Sequence, residues 1–170
     1  SGGMVVMDET DCMVDIAKFF MKFTVDESCG KCTPCRIGNM RVLELLEKIT
    51  SGKGEMEDLI KLEDLCEVIT ESSLCGLGKT ATTPVISSMH YFMDEYLDHI
   101  QNHKCQASVC KELLDYIINE RCVGCGICTR NCPTNAITGE KRKVHSIDLE
   151  KCIKCNACYE VCPVSAVEIR

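Results

Sequence analysis

Apolar side chains recur every three to four residues through most of the first hundred positions, which is the period of an amphipathic α-helix. The third of these stretches shows the pattern most clearly. Its apolar stripe consists of Leu59, Leu62, Cys66 and Ile69. Short polar or glycine-containing breaks separate the stretches. The pattern therefore predicts four helices, at residues 11–25, 34–50, 55–71 and 84–100.

The pattern changes after residue 101, where a polar break precedes a short predicted helix at 108–119. The sequence then repeats itself, because residues 121–140 aligned with 151–170 share six identities in twenty. A short apolar strand is predicted after each Cys-Pro-x-x-Ala turn of the repeat. We therefore expect a mainly α protein that ends in a small, internally duplicated α+β module.

Sixteen cysteines in 170 residues indicate either a disulfide framework or a set of metal ligands. We expect ligands, because no secretory signal is evident. In addition, many of the cysteines are separated from the next by two intervening residues, as zinc and cluster ligands are. That expectation places the protein in a reducing compartment, the cytoplasm. No apolar segment has the length needed for membrane insertion.

The formal net charge is −7, and thiolate-bound iron–sulfur clusters would make it more negative. No basic stripe is available to neutralise phosphates, so nucleic acid binding is not expected. A basic partner, or a basic face of a larger assembly, suits this charge better.

Each half of the repeat contains the cysteine run of bacterial two-cluster ferredoxins, in which the fourth cysteine of each run binds the other cluster. The runs are Cys122, Cys125, Cys128 and Cys132, and Cys152, Cys155, Cys158 and Cys162. The predicted ligand sets for two 4Fe–4S clusters are therefore Cys122, Cys125, Cys128 and Cys162, and Cys152, Cys155, Cys158 and Cys132. Paired zinc knuckles are the alternative interpretation.

A third cysteine run, after the first predicted helix, consists of Cys29, Cys32 and Cys35. Three thiolates need a fourth ligand to complete a cluster or a zinc site, and either Cys75 or Cys66 could supply it. Cys66 belongs to an apolar helix stripe, where a buried structural cysteine is the ordinary interpretation. Cys75 is followed by a glycine-containing loop, which favours Cys75 as the fourth ligand.

Residues 27–38 read ESCGKCTPCRIG and closely resemble the ESCGKCTPCRxG signature of the NADH-binding flavoprotein subunit of respiratory complex I and its relatives. The resemblance covers about residues 1–101. It implies that the three cysteines and one about forty residues later hold one 4Fe–4S cluster on a four-helix bundle. It also implies that Gly2–Met7, interpreted as a glycine turn and a short apolar strand, ends a preceding ubiquitin-like domain.

A two-cluster ferredoxin module after such a region is similar to the β subunit of NAD(P)-dependent, often electron-bifurcating FeFe-hydrogenases. Some NAD-dependent formate dehydrogenase subunits share this plan and are the alternative parent. The family's Gly-rich loop for FMN and NADH lies upstream of the matching region, and no such loop occurs here. The resemblance therefore implies a C-terminal segment that relays electrons through three 4Fe–4S clusters and is not catalytic alone.

The same resemblance implies where the remaining cofactors and partners belong. FMN and NAD(P) would bind only in the missing N-terminal part of the parent subunit. The expected partners are the other subunits of a multi-subunit hydrogenase-type complex and a soluble ferredoxin.

Four cysteines remain outside the predicted clusters, namely Cys12, Cys66, Cys105 and Cys110. Cys105 and Cys110 flank the break between the modules, and His99 and His103 stand just before this pair of cysteines. The sequence predicts a zinc site made by Cys12, His99, Cys105 and Cys110, with His103 as the alternative to His99. Reduced thiols with solvated histidines are the competing interpretation. A zinc-bound structural adaptor that docks subunits is the corresponding alternative from a different functional class.

These interpretations divide the chain into four segments. The segments are 1–9 (end of a ubiquitin-like domain), 10–101 (four-helix 4Fe–4S bundle), 102–120 (linker and short helix) and 121–170 (two-cluster ferredoxin-like domain). No catalytic constellation is evident, and His90 and His145 are predicted to be surface residues.

Overall fold

The computed structural model describes residues 4–169, and the chain divides into two compact units, one ending at Leu113 and one starting at Leu114. The first unit is helical. Its elements are α1 (Met13–Glu27), a π-helical turn (Pro34–Gly38), α2 (Asn39–Thr50), α3 (Met56–Ser72), α4 (Gly76–Thr80), α5 (Thr83–Tyr91), α6 (Met93–Leu97), a second π-helical turn (Asp98–Asn102) and a 3-10 turn (Lys111–Leu113). The first three predicted helices are confirmed as α1, α2 with its preceding turn, and α3.

The helices of the first unit meet in one apolar core. Its fully buried side chains include Val14, Met21, Val42, Leu46, Leu62 and Ile69. Because these residues recur at helical spacing, each helix buries one face against the others. Burial of each large aliphatic side chain contributes on the order of 1.5–3 kcal/mol.

Polar contacts close the hairpin between α2 and α3. The backbone N–H of Glu55 donates to the carboxylate of Asp58 over 2.8 Å, which completes a capping box at the start of α3. The Lys48 ammonium lies 2.7 Å from the same carboxylate. At the other end of the hairpin there is no room for a Cβ at Gly38, since it would lie 2.6 Å from the Ile69 side chain. The start of α2 and the end of α3 are therefore held side by side.

The helix predicted at 84–100 is interrupted, so that part of the prediction was wrong. Phe92 leaves the helical region (φ −133°, ψ 38°) and separates α5 from α6. The Tyr96 hydroxyl reaches the Ser88 hydroxyl at 2.7 Å, and both side chains are buried. Residues eight apart in an uninterrupted helix are separated by about 12 Å along the axis. The break therefore lets Tyr96 enter the core with its polar end satisfied.

The helix predicted at 108–119 was also wrong. This segment forms the 3-10 turn at Lys111–Leu113 and then strand β1 (Tyr116–Ile118). β1 pairs antiparallel with β4 (Val167–Ile169), with Tyr116 opposite Ile169 and Ile118 opposite Val167. Aromatic and β-branched residues favour a paired strand, and this pairing with a partner about fifty positions away outweighs the local helical spacing.

The second unit, from Leu114 onward, is a small α+β structure. Besides β1 and β4 it contains α7 (Ile127–Asn131), β2 (Ile137–Thr138), β3 (Ser146–Ile147) and α8 (Ala157–Glu160). β2 pairs antiparallel with β3. The strands predicted after the two Cys-Pro-x-x-Ala turns are confirmed as β2 and β4. Each half of the repeat thus contributes one short helix and one strand after it.

The apolar strand predicted at residues 4–7 is not formed. Met4, Val5 and Val6 are exposed, and no second strand pairs with them within residues 4–169. A strand without a partner is not stable in water, which explains the difference. The glycine turn predicted before it lies outside the described residues. In the same described range, every helix is too short or too polar to cross a membrane.

Candidate metal centres

The Cys29–Cys35 run lies where the chain enters α2. Cys35 is buried in the first π-helical turn, and its sulfur lies 3.4 Å from both the Ser28 hydroxyl and the Asn39 amide nitrogen. The Asn39 side chain can donate a hydrogen bond to a thiolate at this position. Asn39 is itself fully buried, so the donor is held in a fixed place. Sequence reasoning missed this residue because its signal, an amide four positions after a ligand on a helix, is common.

The structure brings the loop that contains Cys75 to the Cys29–Cys35 run. The backbone N–H groups of Leu74 and then Cys35 lower the pKa of Cys32. A Cβ at Gly78 would lie 3.3 Å from the Cβ of Cys35, so α4 packs directly on that cysteine. Cys29 and Cys75 are both exposed. The four cysteines favoured by sequence thus lie on two adjoining segments of the helical unit.

Cys66 is placed differently. It lies within α3 and is only 1% exposed, as expected for the structural cysteine of an apolar stripe. Burial raises the pKa of its thiol to about 12, with a smaller contribution from Glu63. Because a cysteine binds a metal as its thiolate, an environment that raises the pKa of the Cys66 thiol opposes ligation by Cys66.

The two halves of the repeat present their cysteines in matched environments. Cys128 and Cys158 are each 9% exposed, and both belong to the small core of the second unit. The Ala136 N–H donates to the Cys132 sulfur over 3.3 Å, and the Ala166 N–H donates to the Cys162 sulfur over 3.2 Å. Backbone amides aimed at sulfur are the contacts that stabilise thiolate ligands of iron–sulfur clusters.

A small cavity in the second unit has four of the predicted ligands in its wall. These are Cys132 from the first run and Cys152, Cys155 and Cys158 from the second. For the other predicted set, burial raises the pKa of Cys128, and the neighbouring Cys122 and Cys125 raise it further. Cys162 packs against the same small core as Cys128. The cavity therefore suits a ligand set in which the second run takes its fourth cysteine from the first run.

The prediction that His145 is a surface residue was wrong, whereas His90 is exposed as predicted. The His145 side chain is buried among residues of the second unit. Its Nδ1 atom lies 3.1 Å from the Lys143 carbonyl oxygen and 3.9 Å from the sulfur of Cys122. The reason is the β2–β3 hairpin, which turns this side chain inward toward the first cysteine run.

The four residues of the predicted zinc site come together in the helical unit. Their ligand atoms all lie within 4.8 Å of one another, and all four side chains are buried. The His99 Nε2 atom is 3.4 Å from the Cys12 sulfur and 3.3 Å from the Cys110 sulfur, and those two sulfurs are 3.7 Å apart. Three sulfurs and one imidazole form a donor set that fits tetrahedral zinc.

Backbone contacts fix how His99 enters this group. Its Nδ1–H donates to the Glu95 carbonyl oxygen over 2.7 Å, which leaves Nε2 facing the sulfurs. Metal-ligating histidines are oriented by this kind of second hydrogen bond. His103, the alternative ligand, is exposed and has a left-handed backbone (φ 47°) at the end of the second π-helical turn. Sequence reasoning missed the carbonyl of Glu95, because a backbone acceptor leaves no residue-type signal.

The electrostatics of this group favour a bound positive charge. Burial disfavours a charged His99 ring, but hydrogen bonds to Cys105 and Cys12 outweigh it and raise the His99 pKa to about 10. Hydrogen bonds from Cys110 and Cys12 lower the pKa of Cys105. A metal cation could supply the positive charge in place of the ring proton.

Two family models match the chain. The first, described as the NADH-ubiquinone oxidoreductase-F iron–sulfur binding region, covers residues 15–99, and the second, a 4Fe–4S dicluster domain, covers residues 115–169. The NADP-reducing hydrogenase subunit HndC of Solidesulfovibrio fructosivorans is 55% identical over 85% of this chain and 30% of its own length. The F subunit of the NADH-quinone oxidoreductase of Streptomyces coelicolor is 46% identical over 58% of this chain and 22% of its own length.

A solved structure, that of an NAD+-reducing NiFe-hydrogenase in the H2-reduced state, is also similar. It has a TM-score of 0.55 and 34% identity, covering 59% of this chain and 17% of that one. The chain spans less than a third of the length of these relatives. The first family model alone matches half of the chain, and the cysteines of the Cys29–Cys35 run and Cys75 lie inside it. The chain therefore belongs to the family of the NADH-ubiquinone oxidoreductase-F iron–sulfur binding region and contains a 4Fe–4S dicluster domain after it.

Proposed function

We propose that the chain relays electrons through three 4Fe–4S clusters as the C-terminal segment of the flavoprotein subunit of an NAD(P)-linked hydrogenase. The observation that carries this proposal is the combination of both matched regions in one chain, each around its own cysteines. In support, the hydrogenase subunit HndC is similar over 85% of the chain, which includes the region beyond the first family model. The equivalent subunit of an NAD-dependent formate dehydrogenase is the alternative parent.

The proposed ligands of the first cluster are Cys29, Cys32, Cys35 and Cys75. We infer that α1, α2, α3 and the α5–α6 segment act as the four helices of the bundle that holds it. Bound 4Fe–4S clusters take up and release single electrons. The residues of the chain act on that exchange through hydrogen bonds to sulfur, of which the Asn39 amide to Cys35 is one. Exposure of Cys29 and Cys75 would leave this end of the unit open to an electron donor or acceptor.

For the second unit, the proposed ligand sets are Cys122, Cys125, Cys128 and Cys162, and Cys152, Cys155, Cys158 and Cys132. Exchange of the fourth ligands would lock the two halves of the repeat together. The cavity wall shared by Cys132 with the second run supports the exchange. Two sites within so small a unit would lie close enough for rapid electron transfer between them.

The proposed role of Cys12, His99, Cys105 and Cys110 is to bind one zinc ion. Zinc has no redox chemistry that could divert electrons from the clusters. It would tie the start of α1 to the segment that ends the helical unit, since Cys110 lies three positions before Leu113. A purely structural adaptor would use this ion without any cluster, and is the alternative from a different functional class.

The remaining parts of the proposal concern what lies outside this chain. NADH oxidation and FMN binding would belong to the upstream part of the parent subunit. Other subunits of the complex and a soluble ferredoxin are the proposed electron partners. This chain alone is expected to accept electrons from a strong chemical reductant and to bind no flavin.

Metal analysis tests the proposal directly. Anaerobically reconstituted chain should contain about 12 iron and about 12 sulfide per molecule, since each cluster has four of each. A reproducible iron value near eight would remove the Cys29 site from the proposal. Protein that is colourless and contains zinc alone would decide for the structural adaptor. Stoichiometric FMN binding by this chain would contradict the assignment of the flavin to the upstream part.

A further inference from the structure

His145 is a buried polar side chain whose position is fixed from two sides. It is 5% exposed, and its Nδ1 atom lies 3.1 Å from the Lys143 carbonyl oxygen. Because a carbonyl oxygen can only accept, the proton of the neutral ring is on Nδ1. Gly139 faces the ring so closely that a Cβ there would lie 2.6 Å from the ring carbon Cγ. The ring thus has a fixed position, and its hydrogen-bond donor is the N–H at Nδ1.

That donor is directed at a proposed cluster ligand. The Nδ1 atom lies 3.9 Å from the sulfur of Cys122, so one N–H can be shared between the Lys143 carbonyl and a thiolate at Cys122. The other proposed cluster has a different side-chain contact, because the Thr134 hydroxyl lies 3.7 Å from the sulfur of Cys132, its proposed fourth ligand. Since a cluster-bound thiolate has no proton, Thr134 would be the donor there.

The repeat allows the two donors to be compared. Thr134 corresponds to Val164 in the second half, and His145 lies beyond the aligned residues 121–140, so it has no counterpart within 151–170. The backbone contacts to Cys132 and Cys162 are matched within 0.1 Å. The two proposed ligand sets therefore differ in their side-chain donors, although the backbone contacts to Cys132 and Cys162 are alike.

We infer that His145 is a positioning residue that raises the reduction potential of the cluster held by Cys122, Cys125, Cys128 and Cys162. The inference rests on the proposed function. Reduction adds one negative charge to the cluster, and an N–H donor to a ligand sulfur stabilises that charge. Thr134 acts in the same way on the other cluster, so the two potentials are set independently.

Two variants whose new side chains resemble each other in shape test the inference. His145→Leu removes the donor, and His145→Asn keeps an amide N–H near the place of Nδ1. A redox titration of the full, cluster-loaded chain, followed by electron paramagnetic resonance, should resolve one-electron steps. We expect His145→Leu to lower one potential so that, at a fixed applied potential, the ratio of reduced to oxidised cluster falls about threefold to tenfold; a tenfold fall is about 59 mV. His145→Asn should keep most of the original value.

Further variants supply the control and the safeguard. Thr134→Val should shift a different step and leave the His145-dependent step in place. Gly139→Ala, which forces the ring to move, should shift the same step in the same direction as His145→Leu. Equal potentials in His145→Leu and wild type, or equal shifts in His145→Leu and His145→Asn, would overturn the inference. Wild-type chain that binds no cluster at the Cys122 run would instead overturn the proposed function, which iron analysis of the same samples detects.

Discussion

The helical unit contains two groups of four candidate ligands, and they differ in how deeply they are buried. Cys12, His99, Cys105 and Cys110 are all buried, with their ligand atoms already within 4.8 Å of one another. In the group around Cys35, both Cys29 and Cys75 are exposed. The first group therefore has the closed character of a structural metal site, and the second is open to solvent.

The spacing of cysteines indicates which residues can bind a metal. Their burial indicates whether the site is closed or open to a partner. Closed sites suit an ion that stabilises the fold, because the protein fills every coordination position. Exposed ligands suit electron exchange, because the partner must approach the cluster closely. The two groups share one small unit, so variants in one serve as controls for the other.

The largest expected effect follows removal of the proposed zinc ligands. The double variant Cys105→Ser/Cys110→Ser should lose bound zinc while its iron content stays at the wild-type value. A folded-state ligand at a thousand times its Kd stabilises a protein by about 4 kcal/mol, so a loss of that order is expected in the free energy of unfolding. Metal analysis and denaturant unfolding of zinc-supplemented protein measure the two quantities.

The alternative ligand provides the control for that experiment. His103→Asn should keep the zinc, because His103 is exposed and Asn tolerates its left-handed backbone. Zinc binding should also weaken as the pH falls, since thiolates must lose protons to bind it. Native protein that lacks zinc and whose Cys105 and Cys110 react freely with an alkylating reagent would contradict the site.

At the group around Cys35 we expect a smaller effect on stability, together with a specific effect on iron content. Cys75→Ala should remove about four of about 12 iron atoms, because a 4Fe–4S cluster needs its fourth thiolate. Zinc content should not change. The matched control is Cys66→Ala, which replaces the other candidate and should keep all the iron while it lowers stability by about 1 kcal/mol through lost packing. The reverse pattern of iron loss would make Cys66 the ligand.

Sequence alone was sufficient where chemistry requires specific residues at specific spacing. The apolar stripe through Cys66 is buried in α3 as predicted, because a helix face is set by local spacing, whereas the ligand sets of the runs at Cys122 and Cys152 stay predictions. The strands after the two Cys-Pro turns were predicted for the same reason.

Sequence was insufficient where a distant partner decides the outcome. Phe92 interrupts a helix so that Tyr96 can reach Ser88, and Tyr116–Ile118 forms a strand because β4 lies beside it. His145 is buried because a hairpin turns it inward, and its neighbours in sequence give no sign of this. Donors to the sulfurs of proposed ligands, such as Asn39 beside Cys35, are visible only once side chains are placed.

The smallest expected effect concerns Asp58, which belongs to neither metal group. Burial opposes its charge, but hydrogen bonds from Lys48 and from the Glu55 backbone outweigh that and hold the Asp58 pKa below its usual value. Because the folded-state pKa is lowered, Asp58 stabilises the fold above its unfolded pKa of about 3.9, and this contribution is lost as the pH falls through the folded pKa. Asp58→Asn should therefore lower the free energy of unfolding by about 1 kcal/mol at pH 7 and by progressively less below pH of about 4. Urea unfolding at several pH values measures this. Zinc and iron contents should equal those of the wild type, and a change in either would show that the hairpin and the metal groups are coupled.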